Sequence, residues 1–457
     1  MTATMSQPRL SDLRALGLFD ARVPRYTSYP TAAVFQPTAD GAMQERELRT
    51  LDPARPVSVY VHIPFCERLC WFCACHTQGT QTLGPVEGYL DAVERELDRL
   101  RELIPAGLRM GRLHWGGGTP TILPPPLIRR LAGAVRAAFP PDDRFEFSVE
   151  IDPTMVDVAR IEALAAEGMT RASIGIQDFD PEVQAAIGRL QPFETTRACV
   201  DTLRRAGVES LNMDLVYGLP HQTEARILNT VEKVLSLAPD RVALFGYAHV
   251  PWVSKRQKLI DEDTLPADEV RHALAGLAGA RFRDAGLAPI GIDHFARAGD
   301  ELAQAAAAGR LRRNFQGYTA DDCDTLIGIG ASSISKFPGG YVQNAAATAA
   351  YLQRVNEGRL AGARGHAFAG EDRLRARAIE MLMCDFAIDL DRLDAEHPGA
   401  SRALESDIAG IRDRFAPAIT FTGRTLAVRP GWRALTRIVA GGFDAHVSEG
   451  VRYSRAS

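Results

Sequence analysis

The sequence predicts an α/β protein: an incomplete parallel β/α barrel of about six βα units, with an N-terminal extension and a small, mainly helical C-terminal domain. Three observations predict it. Short β-branched runs with few charges recur from residue 57 onward, longer amphipathic stretches alternate with them, and residues able to do chemistry fall at the C-terminal ends of the runs.

The strand-like runs are VSVYVHI (57–63), RLHWGG (112–117), FEFSVEI (145–151), RASIGIQ (171–177), SLNMDLVYG (210–218) and RVALFGYAH (241–249). Their low charge marks strands buried on both faces. Stretches at 86–103, 127–139 and 159–169 repeat apolar residues at helical spacing between them. Right-handed βαβ connections put the C-terminal ends of all six strands on one side, where barrels carry active sites. There the sequence places four cysteines within residues 66–75, the GGGTPT turn (116–121), Glu150, Gln177, Asp214 and His249. Residues 1–55, rich in Pro, Arg and Tyr, read as a loosely structured extension with a short helix. After about residue 365 the pattern changes to a helix (371–383), a hairpin (419–430) and a last helix. The expected division is therefore 1–55, 56–365 and 366–457.

Hydrophobic residues at 46% and charged residues at 24% are ordinary for a globular protein, and a net charge of -4 supplies no global basic field for nucleic acid or an anionic membrane. MTATMSQPRL has no apolar signal-like region, and no stretch approaches the ~20 apolar residues that span a bilayer. A cytoplasmic protein without nucleic-acid or membrane partners is expected.

Four of the seven cysteines, Cys66, Cys70, Cys73 and Cys75, share one ten-residue window, a clustering that speaks of metal rather than of disulfides. Cys199, Cys323 and Cys384 lie apart and read as small buried hydrophobes. Cys66, Cys70 and Cys73 form CxxxCxxC after the first strand. Thiolates are soft ligands suited to iron–sulfur clusters, and a closed electron-transfer cluster usually takes four. Three leave one iron open to chelate the amino and carboxylate groups of a ligand. A zinc knuckle, the competing assignment, favours paired CxxC spacing. Cys75 as a fourth ligand would close the open site, so it is expected outside the cluster. Phe65, Trp71 and Phe72, interleaved with the thiols, fit either loop packing or a shield over the cluster.

The segment YVHIPFCERLCWFCAC (60–75) resembles the cluster loop of the oxygen-independent coproporphyrinogen III oxidases, members of the radical S-adenosylmethionine superfamily. VPRYTSYPT (23–31), HWGGGTPT (114–121), VEIDP (149–153), GIQDF (175–179), NMDLVYGLP (212–220), YAHVPW (247–252), DHFAR (293–297) and NFQGYT (314–319) resemble its other signatures, in order. The resemblance implies a 4Fe-4S cluster on Cys66, Cys70 and Cys73, two molecules of S-adenosylmethionine, and a tetrapyrrole substrate whose ring A and B propionates become vinyl groups. It further implies that Tyr60, Gly117, Glu150 and Ile334 contact the cluster-bound S-adenosylmethionine. Phe72, Gly118, Thr119, Gln177, Arg189, Asp214 and Ala248 are implied for the second molecule. Tyr60 is the candidate catalytic side chain this points to, and His62, beside the cluster loop, is the other, with a satisfied strand histidine as its alternative. An external electron donor and a monomeric chain go with this picture. Partners for the propionates are sought first among Arg25, Arg256, Lys258, Arg312 and Arg313.

The loop departs from the family's common CGCNK continuation, reading Cys73-Ala74-Cys75-His76-Thr77. That departure keeps open a paralogue acting on another tetrapyrrole, such as in haem breakdown. A haem chaperone of the same superfamily is the other alternative, although Cys75 and the RYTSYP segment favour the oxidase.

Overall fold

The computed structural model describes residues 8–446 and 453–454. Its centre is a twelve-stranded sheet. In chain order the strands are β1 (Val57–Ile63), β2 (Met110–Gly117), β3 (Pro141–Ile151), β4 (Met169–Gln177), β5 (Ser210–Tyr217), β6 (Arg241–Gly246), β7 (Ala288–Ile290), β8 (His294–Ala296), β9 (Leu326–Ile329), β10 (Ile334–Phe337), β11 (Gly340–Asn344) and β12 (Gly362–Ala367). Their spatial order is β12-β11-β10-β9-β1-β2-β3-β4-β5-β6-β8-β7. The six expected strands run parallel in sequence order, and β9 adds a seventh parallel strand beside β1. Antiparallel strands continue the sheet on both flanks.

The buried residues explain the elements. Val57, Val59, Val61 and Ile63 of β1, with Trp115, Val149, Ile174 and Met213 of the next strands, are all at most 3% exposed, as two-sided coverage requires. Helix α1 (Gly84–Leu103) buries Val86, Tyr89, Leu90, Val93, Leu97 and Leu100, a stripe at helical spacing. Helices α2 (Pro125–Ala138), α3 (Val158–Ala166), α4 (Phe193–Arg205) and α5 (Glu224–Ser236) contribute to the same core. The Asp157 and Thr223 side chains cap α3 and α5, accepting from the Arg160 and Arg226 amides.

Residues 8–55 are less loose than expected. Leu13, Leu18, Phe19, Tyr26 and Tyr29 are buried in a second core with Leu374, Ile379 and Leu382 of α6 (Asp372–Asp385) and with Leu426 and Val428. Ala39, Met43, Leu48 and Leu51 join the main core instead. The expected hairpin exists as Ile419–Thr422 with Thr425–Val428, and Ala387–Asp389 completes a three-stranded antiparallel sheet. No helix of the described residues is long and apolar enough to cross a membrane.

Candidate active site

A cavity of about 630 Å³ opens at the C-terminal ends of β1 to β6. The cysteine loop leaves β1 there. It is pinned at its base by parallel pairing of Phe65–Cys66 with Gln78–Gly79, and in its middle by the Trp71 amide donating to the Ile187 carbonyl at 2.9 Å. Trp71 and Phe72 pack against Val183, Ile187, Val216 and Leu219, so their first duty is to hold the loop.

Cys66, Cys70 and Cys73 all line the cavity, as does exposed Cys75. Burial pushes the Cys66 thiol up to about 11, while the Thr119 hydroxyl, 3.5 Å from its Sγ, works in the opposite sense. A hydrogen bond from the Cys75 thiol lowers the Cys73 thiol below its usual value against the opposing effect of burial. This is the donor set an iron–sulfur cluster takes.

The glycine turn sits on the same loop. The Gly118 amide donates to the Ile63 carbonyl at 2.7 Å and the Thr119 amide to the Phe65 carbonyl at 2.8 Å. A Cβ at Gly118 would lie 2.5 Å from the Phe65 oxygen, and one at Gly117 2.5 Å from the His62 ring, so side chains are excluded sterically. Gly117, at φ +112, also takes a backbone conformation that favours glycine. Its amide donates to Glu150 Oε2 at 3.0 Å.

Glu150 faces the cavity from β3, with His114 Nε2 3.4 Å from its other oxygen. Burial raises its pKa, but the His114 contact and the Gly117 amide outweigh it, and the carboxyl stays below its usual value. Asp214 of β5 goes the other way: burial lifts it, opposed by hydrogen bonds from Ser173 Oγ at 2.9 Å and Asn212 Nδ2 at 2.8 Å. Gln177 follows a register shift in the β4–β5 ladder and stands at φ +68, the re-aiming a β-bulge produces. Phe72, Gly117, Gly118, Thr119, Gln177, Arg189 and Ala248 line the cavity with these carboxylates. Arg189 is already engaged: Nη1 is 3.0 Å from Asp152 and 3.5 Å from Cys70 Sγ, and Nη2 donates to the Gly175 carbonyl at 2.9 Å. Its carboxylate partner in the fold is thus Asp152.

Tyr60, His62 and Ile334 do not line the cavity. A carbonyl only accepts, so His62 Nε2, 3.0 Å from the His76 oxygen, carries the proton. Burial keeps the imidazole neutral by lowering its pKa, so Nδ1 accepts from the Tyr60 hydroxyl at 3.0 Å. Tyr60 stacks on His114 at 5.7 Å. The pair therefore ties β1 to the far end of the cysteine loop and backs His114 against Glu150. Ile334 begins β10, against Gly328, which pairs with Tyr60. His249 turns instead to the Tyr247 hydroxyl and Glu262, each 2.9 Å away.

Asp152, Ser173 and Asn212 are site residues that motif reading did not assign. Their signal was present: polar side chains at alternate positions of otherwise apolar strands point to one shared face.

A triad of cysteines on the loop after the first strand, a close-packed glycine turn and inward carboxylates on a parallel sheet define a radical S-adenosylmethionine protein. Residues 60–234 match the Radical SAM superfamily. The chain is 59% identical to the oxygen-independent coproporphyrinogen III oxidase of Cereibacter sphaeroides ATCC 17025, over 97% of this chain and 99% of that one. It is 51% identical to the enzyme of the same name from Paracoccus denitrificans, over 95% of this chain and 97% of that one. The solved structure of coproporphyrinogen III oxidase from Escherichia coli, described as a radical SAM enzyme, superimposes with a TM-score of 0.88 at 35% identity, covering 93% of this chain and all of that one. The chain belongs to the oxygen-independent coproporphyrinogen III oxidase family.

Proposed function

We propose that the chain converts coproporphyrinogen III to protoporphyrinogen IX without oxygen, by radical decarboxylation of two propionates, as a monomeric cytoplasmic enzyme served by an external electron donor. One observation carries the reading: the three cysteines, the glycine turn, Glu150 and Asp214 share one cavity. When bound, the cluster and S-adenosylmethionine would supply the reducing electron and the 5'-deoxyadenosyl radical that takes hydrogen from the propionate β-carbon, which is far too weak an acid for a side-chain base to deprotonate. Loss of carbon dioxide and of one electron to an external one-electron acceptor then leaves the vinyl group.

In this reading Cys66, Cys70 and Cys73 hold the cluster. The Glu150 carboxylate, kept ionised by His114 and the Gly117 amide, accepts from the ammonium of the first S-adenosylmethionine. The wall of Gln177, Arg189, Asp214 and Ala248 takes a second molecule. Asp214, oriented by Ser173 and Asn212, accepts from ribose hydroxyls there. Tyr60, His62 and Ile334 act from outside the cavity lining: the first two fix the position of the loop end, and Ile334 packs behind Tyr60 through Gly328. We take residues 56–365 as the catalytic unit, with 1–55 and 366–457 flanking it; the second core supports setting the C-terminal part apart, while Ala39, Met43, Leu48 and Leu51 pack into the main core.

The test is an anaerobic assay of reduced, reconstituted protein with S-adenosylmethionine and coproporphyrinogen III, following vinyl porphyrins and 5'-deoxyadenosine by chromatography. Both products are expected. 5'-Deoxyadenosine without vinyl product would point to another tetrapyrrole, and stoichiometric haem binding with neither product to a chaperone.

A further inference from the structure

Under the proposed function the substrate brings several propionates into a cavity whose walls already carry Glu150, Asp152 and Asp214. Carboxylates entering such a site need cations that the protein has not itself neutralised. Four arginines line it: Arg25, Arg68, Arg189 and Arg256. Arg189 is paired with Asp152 at 3.0 Å. Arg68 spends both terminal nitrogens on the Leu190 carbonyl and the Thr154 hydroxyl, each at 3.2 Å. Arg312 and Arg313 line a different cavity, of about 530 Å³, where Arg312 lies 3.2 Å from Glu380. Lys258 lines neither cavity.

Arg256 is distinguished by how it is held. It sits on a short 3-10 helix, Lys255–Leu259, that is spliced to the cysteine loop by three nearby side chains. Ser254 Oγ donates to the Cys73 carbonyl at 2.8 Å, and buried Gln257 donates through Nε2 to the Phe72 carbonyl at 2.7 Å. Arg256 Nη2 donates to the Cys75 carbonyl at 3.2 Å and to Thr77 Oγ1 at 3.0 Å. These bonds are made through Nη2 alone, and among the described residues no carboxylate pairs with its charge, which is felt by the Cys66 and Cys73 thiols. A guanidinium fixed on one edge and open on the other binds a carboxylate at little entropic cost.

We propose that Arg256 is a carboxylate-binding residue of this site, receiving a substrate propionate beside the cysteine loop. The assignment rests on the proposed function. The same chemistry would fit the methionine carboxylate of S-adenosylmethionine, so the test separates the two sources.

Reconstituted wild type, Arg256→Gln and Arg256→Lys are compared for iron content, for S-adenosylmethionine binding by equilibrium dialysis, and for binding of coproporphyrin III by fluorescence. A lost charge-assisted contact should weaken porphyrin binding about 10- to 100-fold in Arg256→Gln. Arg256→Lys should recover part of that loss, with iron content and S-adenosylmethionine affinity near wild type in both. Unchanged porphyrin binding in Arg256→Gln would overturn the assignment, and weakened S-adenosylmethionine binding with unchanged porphyrin binding would move the contact to the methionine carboxylate. Loss of iron in both variants would reduce Arg256 to a tie for the loop. Wild type that binds no coproporphyrin III would sink the proposed function, and this assignment with it; wild type that binds while Arg256→Gln binds as tightly sinks the assignment alone.

Discussion

Adding one methyl group at Gly118 tests whether the glycine turn is what seats the cysteine loop. Its Cβ would sit 2.5 Å from the Phe65 oxygen and 2.8 Å from the Ile63 oxygen, both backbone atoms that no rotamer change can move. Contact becomes ordinary only near 3.4 Å, so turn and loop must part by about 0.9 Å. That shift strains the 2.7 and 2.8 Å bonds from the Gly118 and Thr119 amides. Overpacking costs roughly 1–3 kcal/mol, and each weakened hydrogen bond adds a fraction of its ~1 kcal/mol. Gly118→Ala should therefore lose about 2–4 kcal/mol. Gly88 is the control, since it lies inside α1 with nothing within 4 Å of its would-be Cβ. Gly88→Ala should gain up to about 1 kcal/mol from helix propensity. Chemical denaturation of the two variants gives the stabilities, and iron content after reconstitution gives the effect on the site, since Thr119 touches the Cys66 sulfur. Gly118→Ala as stable as Gly88→Ala, with full iron, would refute the claim that the turn's close approach positions the loop.

Single Cys66→Ser, Cys70→Ser and Cys73→Ser changes should abolish cluster assembly, whereas Cys75→Ser should retain iron near the wild-type level; equal loss in all four variants would show that Cys75 is a ligand. Glu96, buried on α1, accepts from the Gly330 amide, Asn344 and Tyr351, yet burial still raises its pKa to about 7. A raised folded-state pKa means that stability present below about 4.5 is lost as pH rises through about 7, a loss worth about 3 kcal/mol in full. The stability difference between wild type and Glu96→Gln should consequently move by about 2–3 kcal/mol in favour of the glutamine variant between pH 5 and pH 8.5. A difference that stays constant with pH would mean Glu96 does not titrate there.

The six parallel strands are legible because each is a short β-branched run with few charges, and β1 occupies the expected residues 57–63. β9 escaped notice: it has four residues, and its place beside β1 comes from pairings such as Tyr60 with Gly328, which no local pattern announces. The N-terminal segment looked loose because its apolar residues have no partners nearby in sequence; they find them in α6 and the C-terminal sheet.

The sequence by itself determined the chemistry on offer. Three thiols, a glycine turn and carboxylates at strand ends are short-range patterns, and their spacing survives folding. Only the tertiary structure decided which charged and polar groups meet. It paired Arg189 with Asp152, withdrew Tyr60 and His62 from the cavity lining to brace the loop, sent Arg312 to Glu380, and left Arg256 open beside the cysteines. Those outcomes depend on register and on contacts between segments as far apart as 68 and 181 residues of chain, where a shift of one strand position turns a side chain to the other face of the sheet.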